Sequence, residues 1–361
     1  MSLSVLALIA ALVYLLLGPL AERFIQPATA NLSTKDRLDE LESARGLLLQ
    51  VLGGLVVTAG LVATLGTLRY TARTYRVTEQ GHVTDRFSKA VEQLGSDRRS
   101  VRTGGVYALG RIMKDSPEDH ETVVHVLTAF IREQALHPSE EEKVKLMSLP
   151  PAQRTHPQVD IAAALSMLRT RDHYDLDEPI DLSGAYLHGA NLRGADLRGA
   201  NLGDVDMWGA DLKDAVLDGA RLYRANLRGA TLSGATLISA HLTAASLPAA
   251  TFTHANLTSA DLSAIEDFSS ASFTDATLMQ ADFSLSKLKG ARFVRTNFTG
   301  AFLSQAVLWG TDLSKAVGLS AEGLVNAPRD GETVLPASVQ AELDLRGESN
   351  ASQTQPTQEK S

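Results

Sequence analysis

Three patterns of apolar and polar positions succeed one another along the chain. The first is a pair of apolar runs. Leu3 to Leu20 carries no charge, and Gly46 to Leu68 carries one polar amide, Gln50, between Arg45 and Arg69. Eighteen residues of helix at ~1.5 Å each reach about 27 Å, the thickness of a bilayer core. The pattern therefore predicts two transmembrane helices, about 3–20 and 46–68, in a membrane anchor over 1–76. Two buried core helices are the alternative reading, but no other part of the chain could wrap them. A cleaved signal peptide fits less well. The first run lacks a basic leader, and the nearest small-x-small site, Ala28-Thr29-Ala30, lies ten residues past it. Between the runs, Thr34–Glu42 reads as a short amphipathic turn of helix.

The second pattern is helical. Phe87, Ala90, Val91 and Leu94 share one face, and Gly95-Ser96 ends that helix. Val101, Val106, Leu109, Ile112 and Met113 mark the next. Asp115-Ser116-Pro117 then stops one helix and starts another, which carries Val123, Val124, Leu127, Phe130 and Ile131. A further helix is expected over Val159–Arg169. The proline-bearing stretch Leu136–His156 reads as a loop. Residues 77–179 are thus a HEAT-like or small-bundle module with its linker.

The third pattern repeats every five residues over 180–318. Twenty-six units have Leu, Phe or Met at the centre (20 Leu, 5 Phe, 1 Met), and 21 have Ala two residues earlier. The register slips by one across Ile265–Ser270, which reads as a bulge or small loop. Neither a 3.6-residue helix nor simple two-residue alternation generates a strict period of five. A solenoid with a corner every five residues does. The centre and the residue two before it then point inward, and Gly recurs at the corners, for example Gly184, Gly194 and Gly209. After Leu324 the pattern ends, and Asn326–Ser361 reads as a mostly disordered tail behind a cap. Residues 319–361 form that last segment.

Composition narrows the chemistry. There is no cysteine among 361 residues, which excludes disulfides, thiolate metal sites and thiol nucleophiles. Aromatics are 5%, which suits a narrow interior of Leu and Ala. The formal net charge of −8 excludes nucleic-acid binding by bulk positive charge. His120 and His125 are five apart, about 500° round a helix, so they share no face. The cluster Asp172, His173, Asp175, Asp177, Glu178 lacks the glycine and terminal glutamate of a calcium loop and reads as a solvated linker. No catalytic residue, cofactor or metal site is expected.

Units such as Ala190-Asn191-Leu192-Arg193-Gly194 and Ala195-Asp196-Leu197-Arg198-Gly199 resemble the A(D/N)LXX pentapeptide-repeat family. The resemblance implies a right-handed quadrilateral β-helix, four pentapeptides to a coil. The fold class is then two transmembrane α-helices, a small α-helical module and an all-β solenoid. Thr84–Ser96 also resembles a module upstream of such repeats in some bacterial membrane proteins. A bacterial inner-membrane protein is therefore expected. The cluster Arg69, Arg73, Arg76 favours cytoplasmic soluble domains.

Some family members protect or inhibit DNA gyrase by mimicking DNA. Here Ile180–Gly318 holds 13 acidic and 11 basic residues, a net of −2, too balanced for a duplex surrogate. The leading expectation is a non-catalytic scaffold with the bilayer and an unidentified protein as partners, and no nucleic acid. Residues 20 apart should stack. Arg193 with Lys213, and His188 with Trp208 and Arg228, form candidate partner rows. Phe302, Val307 and Trp309 occupy outward positions near the far end, as a cap or as a homodimer contact.

Overall fold

The computed structural model describes residues 14, 22–23, 33–136, 157–171, 178–324 and 326–346. It divides into two compact units, Met1–His82 and Val83–Ser361. The first apolar run apart from Tyr14, most of the Leu136–His156 stretch and the acidic cluster Asp172–Asp177 lie outside the described residues, as does the chain beyond Arg346.

In the first unit the second apolar run belongs to helix α1 (Thr34–Leu94), whose last residues fall in the second unit. Ser33 caps its start. The Ser33 hydroxyl donates to Asp36 Oδ2 at 2.7 Å, and the Asp36 N–H donates back to Ser33 Oγ at 3.4 Å. The expected short amphipathic turn and separate later helix are thus one uninterrupted element. No Pro interrupts Thr34–Leu94, and the six glycines within it leave the hydrogen-bond ladder intact. Thr34–Thr71 is long and apolar enough to cross a membrane, and its apolar window is wholly exposed in the isolated protein. The hydroxyls inside it are satisfied by the helix itself: Thr58 donates to Gly54 O, Thr64 to Gly60 O and Thr67 to Ala63 O, at 2.7–2.9 Å.

The second unit begins with the end of α1, then α2 (Arg99–Asp115), a 3₁₀ turn (Pro117–Asp119), α3 (His120–Gln134) and α4 (Val159–Arg169). Helices α2, α3 and α4 pack on one another around Val106, Leu109, Val123, Leu127 and Leu165, all essentially fully buried. Gly105 permits the close crossing of α1 over α2, since a Cβ there would meet Ala90 O at 2.7 Å. Asp160, fully buried in the first turn of α4, takes a two-pronged bond from Arg102, Nε at 2.7 Å to Oδ2 and Nη2 at 2.6 Å. This pair ties α2 to α4.

From Ile180 the chain coils. Parallel bridges return every 20 residues, Asp181↔Asn201↔Arg221↔His241↔Asp261, so four pentapeptides make one coil. Across the slip the spacing is 21, as in Thr251↔Ser272. Among the described residues these are isolated bridges, not the continuous strands an all-β reading implies. The cause is geometric. Each side supplies only two or three extended residues before the next corner. Every corner from Gly184 to Gly310 has left-handed φ, from 54° at Arg224 and Arg295 to 82° at Gly290.

The interior is Leu, Ala and Phe at close to zero exposure. The slip is no loop. Phe268 is fully buried as a further centre, Ile265 points in beside it, and one extra residue sits between them. Nor is the interior too narrow for rings. Phe252, Phe273 and Phe293 stack at 4.7 and 5.3 Å between centroids in successive coils, with Phe268, Phe283 and Phe298 packed beside them. The low aromatic content therefore reflects Leu at most centres, not lack of room.

The coil ends on a built cap. Leu308 N–H donates to Pro328 O at 2.9 Å, and Val334 bridges to Asp312. Helix α5 (Ala337–Leu345) then buries Val339 and Leu343 in the core. The reading of Asn326 onward as mostly disordered is thus corrected through Leu345. The apolar spacing Val339 and Leu343 is one helical turn, enough to seat a short helix on an open end.

Candidate functional site

The side-chain chemistry of the solenoid follows from its five-residue unit. The residue before each centre is often Asp or Asn because its carbonyl or carboxylate oxygen accepts the backbone N–H two residues on. Asp181 to Ser183 (3.0 Å), Asp206 to Trp208 (3.1 Å), Asn226 to Arg228 (3.2 Å) and Asp312 to Ser314 (2.9 Å) all do so. These Asx turns fix where the next, outward residue points. Amides also bridge coils: Asn226 Nδ2 donates to Asp206 Oδ1 at 3.0 Å.

One side of the solenoid gathers most of the candidate residues. His188, Trp208 and Arg228 follow one another at 20-residue spacing, joined by Gly189 N–H to Trp208 O and Gly209 N–H to Arg228 O, each 2.8 Å. The ladder continues through Pro248, then Ser269 after the extra residue, then Lys289 and Trp309. Trp309 thus belongs to the His188 row and is not an isolated end residue. The sequence held the signal: adding one residue for the slip places 309 six coils beyond 188. The same added residue brings Ser269 and Lys289 into the row.

The row starts on an aromatic cluster. The His188 ring stacks on Trp208 at 4.3 Å and 22°, and meets Tyr186 edge-on at 5.5 Å. Tyr186 Oη and His188 Nδ1 share a 2.7 Å hydrogen bond. His188 is nearly buried, and its Nε2 has no protein partner among the described residues. Burial pushes its pKa below the ordinary value, with Asp206 opposing. Burial, then Asp206, raises the Tyr186 phenol. His188 is therefore a neutral packing ring under Trp208, while Trp208, Arg228, Lys289 and Trp309 stay at least partly open to solvent.

Arg193 and Lys213 lie on the neighbouring side. Arg193 Nη2 approaches Asp214 Oδ2 at 3.5 Å, so its charge is partly spent within the surface. The same holds elsewhere. Arg224 grips Asp204 at 2.7 and 2.6 Å, Arg295 grips Asp275 at 2.7 Å twice, and Lys287 pairs with Glu266. Of the apolar outward residues near the far end, Phe302 is 58% exposed and Val317 57%.

Comparison with known proteins matches the five-residue repeats to a family. A family model for pentapeptide repeats matches in eight copies over residues 180–219, 195–234, 232–264, 267–305 and 291–317. None of the curated proteins compared matches the chain. Similar solved structures include HetL, a pentapeptide repeat protein involved in heterocyst differentiation regulation from the cyanobacterium Nostoc sp. strain PCC 7120. It is 28% identical over 43% of this chain and 72% of its own, with a TM-score of 0.32. QnrB1, a plasmid-mediated fluoroquinolone resistance protein, is 19% identical over 48% and 87%, with a TM-score of 0.30. A pentapeptide repeat protein from the Arabidopsis thaliana thylakoid lumen is 32% identical over 28% and 63%, with a TM-score of 0.17. Through the repeats of residues 180–317, the chain belongs to the pentapeptide-repeat family.

Proposed function

We propose that this chain is a non-catalytic scaffold, held at a bacterial inner membrane, whose solenoid presents the row from His188 to Trp309 to a protein partner. The observation that carries the reading is the row itself: two tryptophans, an arginine and a lysine kept in register along one side by bridges and Asx turns. Trp and Arg are the residues that dominate binding energy at protein interfaces. The proposal includes a right-handed, four-sided β-helix, supported by the 20-residue return of the bridges. Membrane attachment rests on the exposed apolar stretch of α1, with residues 3–20 as a second span and the soluble parts in the cytoplasm. The surface ion pairs argue against a nucleic-acid mimic, because several carboxylates are already neutralised by a neighbouring coil.

A photo-crosslinking side chain at Arg228, in the full-length protein in its native cells, tests the reading against the same probe at Thr258 on another side. A discrete adduct from Arg228 alone, lost on joint Trp208→Ala and Trp309→Ala substitution, is expected. Adducts from neither site, or equally from both, overturn it. An adduct whose mass is twice that of the chain assigns the surface to a second copy.

A further inference from the structure

The helical module holds a cavity of about 370 Å³ where the end of α2, the start of α3 and the end of α4 meet. That is within the size of small-molecule sites, about 300–1,000 Å³. Met113 and Met167 form its apolar wall. Its ionisable lining residues, Lys114, His120 and Arg171, are all basic.

Arg171 is fixed in place yet incompletely used. Its Nη1 donates to Leu168 O at 2.8 Å and its Nη2 to Asp196 O at 2.9 Å, both neutral carbonyls. Its Nε is buried without a protein acceptor among the described residues. The nearby Asp196 carboxylate is already gripped by Arg198, Nε at 3.0 Å and Nη2 at 2.7 Å. Burial pulls Arg171 below the ordinary arginine value, with Asp196 opposing. Lys114 forms no ion pair with the described residues. Compensation of the helix dipoles explains a lysine in the last turn of α2 and an arginine just past α4. It does not explain a buried N–H left without an acceptor beside a cavity, an arrangement that costs free energy until an acceptor arrives.

We propose that this cavity binds a small organic oxyanion. The anionic head, phosphate or carboxylate, accepts from Lys114 Nζ and, once the Arg171 guanidinium turns to open its buried Nε to the cavity, from Arg171, while the apolar body lies against Met113 and Met167. This site is independent of the solenoid row.

The test is calorimetric titration of the full-length protein in detergent with phenyl phosphate. Saturable binding to one site is expected. Lys114→Gln removes one charge at the open side and weakens it at least about tenfold. Gly110→Ala keeps every charge but fills the space. Its new Cβ would lie 2.3 Å from Met167 Sδ, so the flexible thioether is driven into the cavity, and binding is lost. Thermal unfolding without ligand controls for folding, and Ala within a helix is expected to leave it unchanged or raised. Absence of saturable heat overturns the proposal, as does full-strength binding in either correctly folded variant.

Discussion

At Ser286 a residue that looks like a lapse in the repeat has a specific task. Its unit places it at the small inward position, where 21 of 26 units have Ala, and it is fully buried. Its hydroxyl donates to Leu262 O at 2.7 Å and accepts from Ile265 N–H at 2.9 Å. Those two backbone groups belong to the turn just before the extra residue, where the usual bond within a unit, such as Ala260 N–H to Leu257 O, is replaced by the serine. Ser286 thus closes a gap made one coil earlier, whereas buried Thr296 simply adds a donor to Phe273 O at 2.7 Å, which already accepts from Ala276 N–H. Ser286→Ala restores the consensus residue and yet leaves a buried donor and acceptor unmet. We expect a loss of about 1–3 kcal/mol in denaturant unfolding. An unchanged midpoint would mean the slip is held by other contacts.

At the scale of the pentapeptide and its corner, much of the fold was legible in the sequence, because the rule is local. A centre points in, an Asx turn follows and a left-handed corner ends the unit. Leu227, Ala225 and Gly229 can be placed from their neighbours alone. What escaped depends on counting or on distant partners. Phe268 needed the extra residue to be assigned, and Val339 and Leu343 in α5 needed an open solenoid end to cover. Leu285, at φ 63°, occupies a corner that sequence preference would give to glycine. The same Asx elements set a pH limit. Burial alone would raise Asp261, but bonds from Ser263 and Thr243 hold its pKa below the ordinary carboxylate value. At Asp312 the Ser314 hydroxyl and N–H lower the pKa directly. A carboxyl whose folded pKa lies below its unfolded one adds stability above the unfolded value. That stability is lost as pH falls through the folded value. The melting temperature should therefore hold between about pH 7 and pH 5 and drop below about pH 4. A melting curve insensitive to acid down to pH 3 would contradict this assignment.

At the scale of the whole chain, the absence of cysteine turns from an exclusion into a tool. All 361 positions lack a native thiol, so one introduced cysteine reports its own surroundings. Val56 and Val62 lie in the exposed apolar stretch of α1, each 70% open in the isolated protein, and Asp39 lies in the polar first turns of the same helix. A surface of that apolarity over Thr34–Thr71 is stable in water only if something covers it, and its threonines already satisfy their own hydroxyls as a bilayer interior demands. A cysteine replacing Val56 or Val62 should resist a charged maleimide in native membranes and react once the protein is unfolded in detergent. Asp39→Cys should react in the same membranes. If the soluble parts face the cytoplasm, Ser239→Cys, at a solenoid corner, labels only after intact cells are opened. Val56→Cys reacting as fast as Asp39→Cys in sealed membranes would show that lipid does not cover this stretch, and the apolar face of α1 would then require a protein partner along its length.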